Sequence, residues 1–141
     1  MRRMYTSKIK EGKRVKKEDF YALGKDVREP VRKLDVFPKP EGVTQVVMES
    51  DEVTSLCPVT GQPDWETVTI EYVPDKLCIE SKSLKLYFWS FRQEGLFCEA
   101  LAAKIANDVG EACKPHSCTV TVRQKPRGGI TIITTARYEK K

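Results

Sequence analysis

The sequence contains one histidine, His116, in 141 residues. A metal centre built on several imidazoles is therefore excluded within one chain, and zinc would have to rest on cysteines. The five cysteines, Cys57, Cys78, Cys98, Cys113 and Cys118, include no CxxC pair, so the common zinc and dithiol spacings are missing too. GxGxxG is absent, which removes dinucleotide binding in the Rossmann manner. No run approaches the ~18 apolar residues of a membrane span. Met1-Arg2-Arg3-Met4-Tyr5 has no apolar segment behind it. Together with the odd cysteine count, this leads to the expectation of a reduced, cytoplasmic protein of one domain. There is neither an internal repeat nor a low-complexity tract.

Charge is unevenly spread. The net charge of +5 gathers at the two ends, with Arg2, Arg3, Lys8, Lys10, Lys13, Arg14, Lys16 and Lys17 leading the chain and Arg123, Lys125, Arg127 and Arg137 near its close. Basic ends of this kind meet phosphates on nucleic acid or on a nucleotide, and equally serve as solvated arms. Residues 1–40 are polar and interrupted by Pro30, Pro38 and Pro40, and are expected to form a basic arm with little regular structure. Residues 41–141 are expected to form the domain.

Within that domain the periodicity predicts an α+β layout. Strands are expected over 43–50, over 67–73, where polar and apolar residues alternate, from 77, over 119–123 and over 129–135, with a turn at 125–128. Phe97, Leu101, Ile105 and Val109 recur every four residues and predict an amphipathic helix over roughly 92–110.

Two stretches carry chemistry. In Cys57-Pro58-Val59-Thr60-Gly61-Gln62-Pro63-Asp64, two prolines fix φ and a glycine allows conformations other residues avoid. Such a loop can hold a thiol and a carboxyl together. A thiol nucleophile beside a proton donor suits addition to an electrophilic carbon, although an ordinary turn around an inert buried cysteine has the same spacing. In Glu80-Ser81-Lys82-Ser83-Leu84-Lys85-Leu86-Tyr87, two lysines three apart beside hydroxyls would share a helical face. They suit either a phosphate clamp or a solvated edge.

Taken together, Glu80 to Tyr87, Cys57 to Asp64, Phe91-Arg92 to Glu99 and Pro126-Arg127-Gly128-Gly129 resemble, in order and spacing, the NADPH-dependent 7-cyano-7-deazaguanine reductases. These are the nitrile reductases of queuosine biosynthesis, and the length fits their short, single-module branch. The resemblance spans about residues 45–135. It implies that Cys57 attacks a nitrile carbon to give a covalent thioimide while Asp64 protonates the nitrogen. It implies base contacts from Ile79, Glu80, Ser81 and Glu99, and NADPH phosphates on Lys82, Lys85 and Arg127. No metal is expected. Where the family often has histidine before the anchoring glutamate, this chain has Cys98. That residue is expected to line the pocket wall, or to pair with Cys57 on oxidation. The fold implied is the tunnelling fold: an antiparallel sheet with two helices on one side, assembling into an oligomeric barrel of two stacked pentamers with sites between subunits. Two alternatives share the Cys57/Asp64 pair or the fold: an amidinotransferase adding ammonia to the nitrile on tRNA, which would use the basic arm, and a non-catalytic base-binding protein.

Overall fold

The structure is a computed structural model that describes residues 15–140. Four antiparallel strands, β2 (Val46–Leu56), β3 (Pro63–Val73), β5 (Ser117–Arg127) and β6 (Ile130–Glu139), form one sheet in that order. A second, two-stranded sheet pairs β1 (Val36–Pro38) with β4 (Leu77–Ile79). Two helices, α1 (Ser81–Trp89) and α2 (Cys98–Cys113), share one core with a single face of the larger sheet.

That core follows from alternation. Val68, Ile70 and Tyr72 of β3 and Val120 and Val122 of β5 point inward and are fully covered, whereas Thr69, Glu71, Thr119 and Thr121 between them face outward. Leu101, Ile105 and Val109 of α2 close the other side. Gly110 lets α2 approach β6: a Cβ there would lie 2.2 Å from the Tyr138 ring. The Tyr87 hydroxyl donates to the buried Asp108 carboxylate at 2.7 Å, tying the helices together.

Several boundaries differ from expectation, each for a physical reason. The helix expected over 92–110 begins at Cys98, because the backbone of 94–96 is taken up by β2: Leu56 N–H donates to Glu94 O and Leu96 N–H to Leu56 O. Phe97 therefore sits outside the helix as its N-cap and is exposed. At the other end Lys114 turns left-handed (φ 47°) before Pro115, three residues later than expected. β2 continues past Ser50 to Leu56 through an irregularity between Ser50 and Val53. This break in register hides the strand from a test of strict alternation. β3 starts at Pro63, so Asp64 lies on a strand and not in the turn. β5 runs through 125–127, leaving only Gly128 and Gly129, both at positive φ, to make the turn.

The expected arm divides. Its residues 1–14 lie outside the described residues. Phe20 and Ala22 are buried against the domain, and the core begins before residue 41, since Leu34 and Val36 belong to it. Asp35 is the clasp. Its buried carboxylate accepts from Tyr21 N–H (2.7 Å) and Ala22 N–H (2.9 Å). Its own N–H donates to Ser83 Oγ, and its carbonyl accepts from Glu80 N–H. These contacts are made by single residues far apart in sequence, so no local period announces them.

Candidate active site

The turn after β2 is closed on itself: Cys57 N–H donates to Gln62 O at 2.8 Å and Gly61 N–H to Cys57 O at 2.9 Å. Gly61 has φ 72°, which a side chain would strain. Residues 94–96 brace the turn from behind, and a Cβ on Gly95 would meet Pro58 Cα at 3.3 Å. Arg32 holds that brace through both oxygens of Glu94, one at 3.1 Å, and stacks over Phe91 at 4.3 Å.

Inside the turn, the Cys57 thiol is brought down to about 6. The Thr60 hydroxyl is the largest cause, followed by the Thr60 N–H, the Arg127 guanidinium and the Val59 N–H. Burial acts in the other direction and is the smallest contribution, although the side chain is largely covered. A thiol in this state is mostly thiolate near neutrality. The other four cysteines are also free, and burial pushes each of them upward. Cys57 is the one cysteine of the five whose thiol is drawn down.

Asp64 is 2% exposed, and Arg127 Nε lies 3.1 Å from its Oδ1. The distance makes an ion pair, but the N–H is not aligned on that oxygen, which otherwise lacks a hydrogen bond among the described residues. Arg127 thus touches both Cys57 and Asp64. Asp64 and Glu66 keep phase with Val68, Ile70 and Tyr72, so both carboxyls enter the protein on the inward face of β3. Glu66 is equally covered, takes a 2.6 Å hydrogen bond from Ser55 Oγ and is pushed up to about 7, mainly by burial. Sequence reasoning missed it. The signal was available, since extending the alternation of 67–73 back by two turns of the pleat puts Glu66 and Asp64 inside.

The other expected site residues are not all free to act as a ligand's partner. Ile79 and Glu80 are buried: Ile79 N–H donates to Tyr72 Oη, and both Glu80 carboxylate oxygens cap α1 by accepting from Lys82 N–H and Ser83 N–H. Ser81 and Glu99 are exposed in the first turns of α1 and α2. Cys98 is buried, with Sγ 3.7 Å from Val122 O. The three expected phosphate partners are not gathered together. Lys82 Nζ donates to the carbonyls of Ala22 (2.9 Å) and Lys25 (2.7 Å), and Arg127 is held by the nucleophile turn. Lys85 alone of the three lines a groove of about 860 Å³, with Arg92, Lys125, Trp65 and Trp89 and with Glu49, Asp51 and Glu52 from β2. Trp65 lines this groove, while its neighbours Asp64 and Glu66 turn to the other face of β3. Among the described residues no group of three His, Cys, Asp or Glu could hold a metal ion, and no helix is long and apolar enough to cross a membrane.

A lowered thiol with an adjacent buried carboxyl on an α+β scaffold has the chemistry that covalent, nucleophilic catalysis requires. Comparison with known proteins gives the family. The model of the QueF-like protein family matches residues 63–141. The NADPH-dependent 7-cyano-7-deazaguanine reductase of Syntrophus aciditrophicus (strain SB) is 47% identical over 120 residues, 84% of this chain and 85% of that one. The reductase of the same name from Elusimicrobium minutum (strain Pei191) is 50% identical over 94 residues, 67% of this chain and 71% of that one. The crystal structure of the archaeosine synthase QueF-Like in the apo form superposes with a TM-score of 0.65. It is 24% identical and the match covers 69% of this chain and 95% of that one, a likeness of fold. The chain belongs to the QueF-like family.

Proposed function

We propose that this protein reduces the nitrile of 7-cyano-7-deazaguanine to the aminomethyl group with NADPH, in the biosynthesis of the queuosine modification of tRNA. The single observation that carries the mechanism is the Cys57 thiol, drawn down to about 6 by Thr60 and Arg127 in the turn that adjoins Asp64. The relatives carry the substrate assignment.

The chemistry follows from the turn. The Cys57 sulfur adds to the nitrile carbon, a C–S bond forms, and one π pair of the C≡N bond moves to nitrogen. The proton that nitrogen then takes comes from Asp64, giving a thioimide. Arg127, bridging sulfur and carboxyl, holds the two at the reacting atoms. Glu99, exposed at the start of α2, accepts from the pyrimidine edge of the base, and Ile79, Glu80, Ser81 and Cys98 contribute the neighbouring wall. NADPH, when bound, supplies hydride. Its phosphates are assigned to Lys82, Lys85 and Arg127. Lys85 has the largest share, because it alone of the three lines the groove and, among the described residues, has no other partner to give up.

The groove and the nucleophile lie on different faces of β3, which is what a site shared between copies would produce. The four-stranded sheet also leaves β2 and β6 as outer strands, with Val47, Ile130 and Ile133 exposed on them. Both features support a homo-oligomeric barrel with sites between subunits, of which two stacked pentamers is the form we propose, in the cytoplasm.

The test is direct. Protein, free base and NADPH should consume two NADPH per nitrile, and without NADPH the intact mass should rise by one substrate per chain. Cys57→Ala should lose both signals. An adduct that survives this change, or amidine formation on tRNA with ammonia and no NADPH oxidation, would overturn the reading.

A further inference from the structure

Reducing a nitrile to an amine with two hydrides also consumes two protons, and this is where the reductase reading leaves a gap. Asp64 carries one proton at a time. Once it has protonated the nitrogen of the thioimide it is a buried carboxylate, and the first hydride creates a nitrogen anion that needs a second proton. The carboxyl nearest in sequence on the same inward face is Glu66.

Resting on that reading, we infer that Glu66 is the second proton carrier of this enzyme, a positioning residue that recharges Asp64 between the two reductions. Glu66 is 2% exposed and enters from β3 beside Asp64. Ser55 of β2, opposite Asp64 in the strand register, donates to its Oε1 at 2.6 Å. Gln124 of β5 stands opposite Glu66 in the strand register and, with Ser55, pulls its carboxyl down against burial. Its Oε2 is buried and has no hydrogen-bond partner among the described residues. The charged and titratable groups that face it are Asp64 on its own strand, Arg127 on β5 and Cys98 on α2. Arg127 is committed to Asp64 and Cys57. An ionised Glu66 would thus leave one oxygen as a buried charge without a dedicated cation, whereas the neutral acid holds a proton it can give up. Burial and the neighbouring Asp64 carboxylate both favour the protonated form up to about 7.

The transfer balances. The Glu66 O–H breaks, the Asp64 carboxylate gains the proton and passes it to the nitrogen anion, and both Asp64 and Glu66 are reprotonated from solvent before the next turnover. No oxidant or metal is involved. The arrangement also separates two titrations in one site: Cys57 works ionised, above about 6, and Glu66 works protonated, below about 7. Turnover should therefore follow a bell in pH, with the acid limb set by Cys57 and the alkaline limb by Glu66.

Glu66→Gln keeps the shape and cannot carry the proton. Adduct formation without NADPH needs a single proton and should stay within about two-fold of wild type. By contrast kcat should fall about a hundred-fold, with both KM values little changed and the alkaline limb gone. Glu66→Asp should recover part of kcat. Wild-type kcat with the alkaline limb intact in Glu66→Gln overturns the inference. So does equal loss of adduct and kcat in a variant that melts like wild type, since that is a structural role. If Glu66→Gln does not fold, Ser55→Ala decides: removing the hydroxyl that favours the ionised form should move the alkaline limb to higher pH, and a limb that stays put overturns the inference. A wild-type protein that forms no adduct would instead refute the underlying reductase reading, and this inference with it.

Discussion

Cys57 should react as a thiolate at a pH where the other cysteines are inert, and the size of the effect can be worked out. With its thiol at about 6, Cys57 is roughly a quarter ionised at about pH 5.5, while an ordinary thiol near 8.5 is roughly one-thousandth ionised. The ratio of thiolate fractions is therefore about 240. A less basic thiolate is also a poorer nucleophile, and a Brønsted slope of about 0.4–0.5 removes about ten-fold of that advantage. A net preference of about twenty-fold remains. The assay is titration with a small dithiodipyridine reagent across pH, with mass mapping of the modified residue and the unfolded chain as reference. The diagnostic is the midpoint of the rate, because steric cover slows the reaction at every pH and leaves the midpoint in place. A midpoint near 6 is expected for Cys57, moving upward in Thr60→Val and, to a smaller extent, in Arg127→Ala, in the order of their contributions. A midpoint above about 8 would refute the claim that the turn activates the thiol.

Three further outcomes are expected. Gly110→Ala should lower the melting temperature: the added methyl would lie 2.2 Å from the Tyr138 ring, and overpacking of about 1–3 kcal/mol exceeds the gain of about 1 kcal/mol in helix propensity. Glu66 should make wild-type stability fall with pH. Its folded pKa of about 7 lies above the unfolded 4.5, so its contribution is complete below 4.5 and is lost as pH rises through about 7. Glu66→Gln should therefore gain roughly 1–3 kcal/mol on wild type between pH 5 and 8, the lower figure allowing for screening by water, and parallel denaturation curves at the two pH values would contradict this. Lys85→Ala should raise the Michaelis constant for NADPH about ten-fold and leave adduct formation untouched, as expected for one lost charge-assisted phosphate contact. Loss of the adduct with NADPH affinity intact would remove Lys85 from the cofactor.

What could be read from the chain was local. Alternation over 67–73 announced β3, the four-residue period announced α2, and the prolines and glycine around Cys57 announced a closed turn, because each is written in neighbouring residues. The order of motifs was enough to indicate the family. Boundaries failed where one element borrowed the backbone of another. β2 took the carbonyl of Glu94 and the N–H of Leu96 and so delayed α2 to Cys98. Asp35 drew Tyr21, Ala22, Glu80 and Ser83 onto itself and turned part of an expected arm into packed structure.

The sequence by itself therefore determined the family, the closed turn that carries Cys57, and the strand and helix around it, since these are written in neighbouring residues and in the order of the motifs. Only the tertiary structure decided the state of the thiol, the engagement of Arg127 with Cys57 and Asp64, the commitment of Lys82 to backbone carbonyls and the burial of Glu66. The reason is physical. A pKa and a partner depend on which atoms from distant strands converge on a group and on how much water they exclude, and neither is a property of the group's neighbours in the chain.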